Sequence, residues 1–176
     1  MLFFVKRVYQ NLKDSNLKVC SVISFPLGSD RLDIKVLQSI KAIEDGATEL
    51  DIVWNISAFK SKDYKYIQTE LSEVKKNTEG VIHKVIIETA YLSQEEKILA
   101  INLLKDLGIE FLKTSSGYAP EGAKVEDIKL FKSLADNKIK IKASGGIKDY
   151  ETALKMIQAG ADRLGTSAGI QIVTGK

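Results

Sequence analysis

Three ionisable residues stand in stretches that are otherwise apolar: Asp51 in Leu50-Asp51-Ile52-Val53, Lys113 in Phe111-Leu112-Lys113-Thr114, and Lys142 in Ile141-Lys142-Ala143-Ser144. Lysine and aspartate are seldom fully buried without a partner, and taking a charge out of water is costly. Lys113 is the sharpest case, because it closes the run Ile109 to Leu112 and is followed by the turn residues Ser115-Ser116-Gly117. Taken alone it also reads as a strand-end lysine whose stem lies on apolar surface while its head reaches water. An amine of ordinary pKa, about 10.4, is uncharged in roughly one molecule in a few thousand at neutral pH, too rarely for an efficient nucleophile. A neighbouring cation and desolvation both favour the uncharged form. Strands that follow one another in a parallel sheet usually neighbour at about 4.8 Å, so Lys113 and Lys142 approach each other if both face the same way. Lys142 is then an electrostatic activator and Lys113 a Schiff-base former, while Asp51 positions an ammonium or relays protons. Singly, each of the three also fits a structural ion pair.

Two glycine-rich turns extend this chemistry. Ser144-Gly145-Gly146-Ile147-Lys148 and Leu164-Gly165-Thr166-Ser167-Ala168-Gly169 follow the last two expected strands, and each opens towards a helical segment. Glycine lets backbone N–H groups approach an anion closely, and a helix N-terminus favours one, so the pair is read as a phosphate site. Two ordinary strand-to-helix turns that need positive φ are the competing reading.

The elements that must position these residues are legible from periodicity. Val5, Val8, Tyr9 and Leu12 mark an amphipathic opening helix, and Lys18 to Phe25 a buried strand, with Cys20 as plain core. Ser29 or Asp30 is placed to cap the helix through Leu32, Val36, Leu37, Ile40 and Ile43, which Gly46 stops. Strands are expected over 49–54, 81–87, 109–113, 139–143 and 162–165, and helices over 64–74, 98–107, 125–134 and 149–157. Ser93-Gln94-Glu95-Glu96 has the pattern of a capping box. Strand and helix alternate throughout, the signature of parallel βαβ units. Six strands are counted, whereas a (β/α)8 barrel needs eight units and typically some 250 residues. A barrel of this kind would be about two units short, and the opening helix, with no strand ahead of it, shows where.

Composition narrows the classes. The 176 residues are 44% hydrophobic and 28% charged, with no long apolar run and no signal-peptide pattern, so one soluble domain over residues 1–176, in the cytoplasm, is expected. With one cysteine and one histidine there is no internal disulfide and no zinc-ligand cluster. A net charge of +3 is spread without basic runs or interleaved aromatics, which argues against nucleic acid as a partner; nor is a membrane expected.

With these residues assembled, the chain resembles the deoxyribose-phosphate aldolase family, class I aldolases of the (β/α)8 TIM-barrel type. The resemblance runs through the segments Val19 to Gly28, Glu49 to Asn55, Val85 to Thr89, Lys113 to Gly117, Lys142 to Gly146 and Arg163 to Gly169, in family order and spacing. It implies that Lys113 forms the Schiff base with acetaldehyde, and that Lys142 and Asp51 assist activation and proton transfer. The implied reaction is the reversible cleavage of 2-deoxy-D-ribose 5-phosphate to D-glyceraldehyde 3-phosphate and acetaldehyde, a step of deoxyribose-phosphate catabolism, with no metal or organic cofactor. The phosphate is expected on Gly117, Gly145, Gly146, Gly165 and Ser167. Family members begin with two further strands, the first carrying an acidic residue near the active site and the second a Val-Cys-Val-Asn-Pro-like motif. Neither is in this sequence, and Phe3-Phe4-Val5 looks like the continuation of the second motif, so about six of eight strands are expected here. Open sheet edges pair readily, so a homo-oligomer is expected. The alternatives are an inactive or phosphate-ligand-binding remnant of such an aldolase, or another Schiff-base aldolase of the barrel class.

Overall fold

The computed structural model describes residues 2–175. Among them are six strands, β1 (Cys20–Ile23), β2 (Glu49–Val53), β3 (Ile82–Ile86), β4 (Phe111–Lys113), β5 (Lys140–Ser144) and β6 (Arg163–Gly165), whose order in the sheet is their order in the chain. The pairings β1–β2, β4–β5 and β5–β6 are parallel. Helices alternate with them: α1 (Val5–Leu12), α2 (Leu32–Glu44), α3 (Ile56–Lys60), α4 (Tyr64–Lys76), α5 (Gln94–Asp106), α6 (Val125–Leu134), α7 (Tyr150–Gln158) and α8 (Gly169–Thr174). Every strand and helix expected from periodicity is present. The short α3 is an addition: the Asn55 side chain accepts the Ala58 N–H at 2.9 Å and starts a helix too brief to show a period. The chain divides into two compact units, one up to Val85 and one from Ile86 onward.

In the first unit β2 is buried along its whole length, Glu49 and Asp51 included. Two local expectations fail here. Cys20 is exposed, because Ser21 and Ile23 occupy the buried face of β1 and the two-residue period turns Cys20 to the other side. Neither Ser29 nor Asp30 caps α2: Arg31 is the cap residue, without a side-chain bond, and the Asp30 carboxylate instead accepts the Gln38 amide at 3.1 Å.

A fully buried ion pair holds α2 and α4 to the end of β2. Lys35 on α2 donates to the Val53 carbonyl at 2.9 Å and reaches the Glu70 carboxylate on α4 at 2.8 Å. The other Glu70 oxygen accepts the Asn55 N–H at 3.0 Å, so the strand end and the start of α3 are fixed together. Burial pushes the Lys35 ammonium below and the Glu70 carboxyl above their ordinary values, and each restrains the shift of the other. Trp54 and Phe59 stack at 4.2 Å over the same segment.

In the second unit α5 opens with the expected capping box: Ser93 Oγ accepts the Glu96 N–H at 3.2 Å, and Glu96 accepts the Ser93 N–H at 2.8 Å. Lys97 on α5 meets Asp127 on α6 at 2.8 Å. Breaking the Lys35–Glu70 pair from one side leaves a buried charge uncompensated. Glu70→Leu is expected to cost about 3 kcal/mol or more in urea denaturation, and adding Lys35→Met to it to restore most of the loss.

Candidate functional site

Lys113 is the last residue of β4, and its register partner on β5 is Lys142. Both side chains are buried, at 7% and 9% exposure, so the two amines share a face of the sheet largely out of water. The register is locked one residue further on. Thr114 Oγ1 donates to the Ser144 carbonyl at 3.0 Å and accepts the Ser144 N–H at 3.1 Å, while Ser144 Oγ donates to the Ser115 carbonyl at 2.6 Å. The Thr114 N–H donates to the Lys142 carbonyl at 3.1 Å. Four hydrogen bonds thus fasten the strand ends that carry the two lysines.

A cavity of about 550 Å³ opens at these strand ends, and Lys113, Gly117, Gly145, Gly146, Gly165 and Ser167 all line it. The expected nucleophile and all five expected phosphate residues therefore share one wall. Lys142 stands beside it: a Cβ added to Gly165 would lie 3.2 Å from Lys142 Cε and 2.8 Å from Ser144 Cβ. Gly145 has φ +86° and backs onto Gly122, where a Cβ would come within 2.2 Å of the Gly145 carbonyl. The Ala123 N–H donates to the Ser144 and Gly145 carbonyls, both at 3.1 Å, so the loop after β4 is drawn onto the turn after β5. The positive-φ reading of Gly145 and the anion-site reading agree, because that conformation is one that turns successive N–H groups to a common side.

Several residues in and behind this wall are not evident from sequence patterns. Lys148 and Tyr118 line the cavity, and Lys148 adds a cation to it. Gly122 lies in the loop 117–124, which no periodicity singles out. Glu88 follows β3 with left-handed backbone, φ 53° and ψ 72°, and is buried at 2% exposure. Its carboxylate accepts the Ser116 N–H at 3.1 and 3.2 Å, which holds the turn after Lys113 in place. A non-glycine residue in this conformation is held there by its surroundings, a pattern common at functional sites.

Asp51 belongs to the first unit and has its own setting. Its Oδ1 lies 2.9 Å from Lys84 Nζ, and Lys84 also contacts Glu49 at 2.8 Å. Lys84 is fully buried, and Asp51 and Glu49 are both 2% exposed. The Cys20 thiol donates to Asp51 Oδ1 at 3.2 Å and accepts from Lys84 Nζ at 3.3 Å. Burial, the largest single influence, works to lower the Lys84 pKa, but Asp51, Cys20 and Glu49 together outweigh it and raise the ammonium above its ordinary value. Lys84 had the same signal as Lys113, a lysine inside Ile82-His83-Lys84-Val85-Ile86-Ile87. It is the partner that makes Asp51 tolerable in β2, whatever further part Asp51 takes.

This geometry has relatives. A family model described as DeoC/LacD family aldolase matches residues 3–175. The deoxyribose-phosphate aldolase of Aquifex aeolicus is 53% identical over 156 residues, 89% of this chain and 71% of that protein. The solved structure of "QR15, an Aldolase" superposes with a TM-score of 0.95 at 48% identity, covering 99% of this chain and 78% of that one. A structure described as a unique tetrameric deoxyribose phosphate aldolase from Aeropyrum pernix gives a TM-score of 0.87 at 29% identity over 99% of this chain and 74% of that one.

Gly165 is the position where the cavity wall leaves room for Lys142. Gly165→Ala is expected to leave the fold intact by circular dichroism but to lower turnover of a phosphosugar substrate by about 10- to 100-fold, because displacement of a reacting group by ~1 Å costs on that order.

Proposed function

Because the chain belongs to the DeoC/LacD aldolase family, whose matching relative in Aquifex aeolicus is a deoxyribose-phosphate aldolase, we propose that it cleaves 2-deoxy-D-ribose 5-phosphate reversibly to D-glyceraldehyde 3-phosphate and acetaldehyde. It is a carbon–carbon lyase of class I. The observation that carries the assignment to residues is the register pairing of Lys113 with Lys142 beside the glycine-walled cavity.

In the direction of synthesis, the lone pair of Lys113 Nζ attacks the carbonyl carbon of acetaldehyde. The C–N bond forms as the carbonyl π pair moves to oxygen, which takes a proton; loss of water then leaves the imine, and water is returned when the product is released. The amine must be uncharged to begin, and a cation alongside together with shielding from water favours that form. Lys142 is the group placed to supply and recover the proton, with Asp51 as a second proton donor and acceptor. The sugar phosphate lies on the N–H groups of Gly117, Gly145, Gly146 and Gly165 and on Ser167, with the Lys148 ammonium adding charge complementarity. The phosphosugar is held at its phosphate end, so its reacting carbon is presented to Lys113 by binding energy that takes no part in the bond change. The tetrameric Aeropyrum pernix relative supports assembly of several copies of this chain.

Borohydride reduction in the presence of acetaldehyde tests the nucleophile: peptide mass spectrometry is expected to find a two-carbon adduct on Lys113. Folded protein left unmodified at Lys113 would sink the Schiff-base reading. Lys142→Leu is expected to retain binding of inorganic phosphate while slowing adduct formation near pH 7 by at least 10-fold, consistent with the usual 10²–10⁴-fold contribution of a proton-transfer group. Unchanged adduct kinetics would remove Lys142 from the activating role.

A further inference from the structure

The two glycine turns of the cavity come from different strands, and they are not equally anchored. The first, Ser144 to Lys148, leaves β5, which is buried from Ile141 to Ser144, and it buries Ile147 at 3% exposure. The second, Leu164 to Gly169, leaves β6, whose three residues are all half-buried, and it runs into α8, which has no buried residue. Ser167, within it, is exposed. A segment with so few buried contacts sits at the low end of local stability. Yet a phosphate shared by Gly145, Gly146, Gly165 and Ser167 requires the two turns to keep one separation, because N–H···O bonds weaken beyond about 3.2 Å.

Thr166 lines the cavity and supplies a tie between the turns. Its Oγ1 donates to the Ile147 carbonyl at 2.6 Å and accepts the Ala168 N–H at 2.9 Å. A hydroxyl has one proton to give and lone pairs to receive with, so the two bonds use it in complementary senses and fix its direction. The first bond reaches from the less anchored turn to the residue that anchors the other, 19 positions away in sequence. The second closes the backbone around Ser167, the residue between Thr166 and Ala168, and takes up the Ala168 N–H within the protein. β-Branching leaves the Thr166 side chain few rotamers, so holding the hydroxyl in place costs little entropy. Beyond the β5–β6 ladder, no other hydrogen bond joins the two turns among the described residues.

We infer that Thr166 is a positioning residue for the phosphate end of the substrate: its hydroxyl clips the turn after β6 to the turn after β5 and so sets the width of the anion cradle. The inference rests on the phosphate reading of the two turns given above. Thr166 acts without touching the anion, since its hydroxyl is engaged by Ile147 and Ala168. What the clip fixes is where Gly165 and Ser167 stand relative to Gly145 and Gly146. The strand end that carries Lys113 is held separately, by Thr114 on Ser144 and by Glu88 on the Ser116 N–H. Loss of the clip therefore weakens substrates that carry a phosphate and spares those that do not.

The test is steady-state kinetics of the full chain with 2-deoxyribose 5-phosphate and with unphosphorylated 2-deoxyribose, alongside calorimetric titration with inorganic phosphate. Thr166→Val keeps the shape of the side chain and removes both bonds. It is expected to raise KM for the phosphosugar and Kd for inorganic phosphate by about 10-fold, on the scale of one or two net hydrogen bonds, with kcat for the phosphosugar changed by less than about threefold and kcat/KM for 2-deoxyribose unchanged. Thr166→Ser, which keeps the hydroxyl, is expected to bind phosphate as the parent does. If Thr166→Val fails to fold by circular dichroism, Thr166→Ala is measured in its place with the same expectation. A Kd for phosphate unmoved by loss of the hydroxyl overturns the inference. An equal loss on both sugars also overturns it, because a merely structural threonine lowers the amount of folded protein without telling the two apart. A parent protein that binds no inorganic phosphate refutes the phosphate reading and the inference with it, whereas a parent and a Thr166→Val variant that bind equally refute the inference alone. Should the parent show no turnover, the phosphate titration still decides between these outcomes.

Discussion

The chemistry of this chain depends on one constraint, the register between two short strands. β4 has three residues, and a slip of a single residue against β5 would turn one of the two lysines to the opposite face of the sheet. So short a strand specifies register weakly through its own ladder. The reciprocal bonds between Thr114 and Ser144, with the Ser144 hydroxyl on the Ser115 carbonyl, supply what length does not. These bonds lie directly beyond the lysines and pin their backbones at the edge of the cavity. The turns that wall the cavity depend in turn on the same strand ends, through Ala123 on the Ser144 and Gly145 carbonyls and Glu88 on the Ser116 N–H.

Each unit holds a set of buried charges on its strands, and the two sets differ in arrangement. In the first, cations and anions alternate: Lys35 with Glu70, and Lys84 with Asp51 and Glu49. The carboxylates around Lys84 raise its pKa against burial, so that amine stays an ammonium and serves as a fixed point. In the second, cations stand in a row, Lys113 beside Lys142 beside Arg163.

Much of the candidate site was legible before any coordinates. Lys113, Lys142 and Asp51 stood out because a charge in an apolar strand needs a reason, Gly145, Gly146, Gly165 and Ser167 because two glycine turns followed successive strands, and Gly117 through the family resemblance. Lys84 carried the same signal as Lys113 and was passed over, since one lysine in an apolar run looks like another until its partners are known. Lys148 ends one of the glycine turns without standing out in it, and Tyr118 carries no pattern at all: both belong to the cavity through the path of the turns that bear them. Cys20 shows the reverse error, where an apolar run suggested plain core and the alternation of β1 turned the thiol to the face that carries Asp51 and Lys84.

What the sequence by itself determined was the order of strands and helices, the residues at each strand end and the glycines in each turn, because hydrophobic period, capping patterns and turn chemistry are properties of neighbours along the chain. What only the tertiary structure decided was which charges meet. Lys113 stands in register with Lys142, and Lys142 with Arg163, whereas Lys84 contacts Asp51 and Glu49, and nothing local to any of these lysines distinguishes the two settings. The physical reason is that ionisation depends on what lies within a few ångströms across strands, and that proximity is set by register and by the closing of loops between residues some thirty positions apart, which no window along the chain contains.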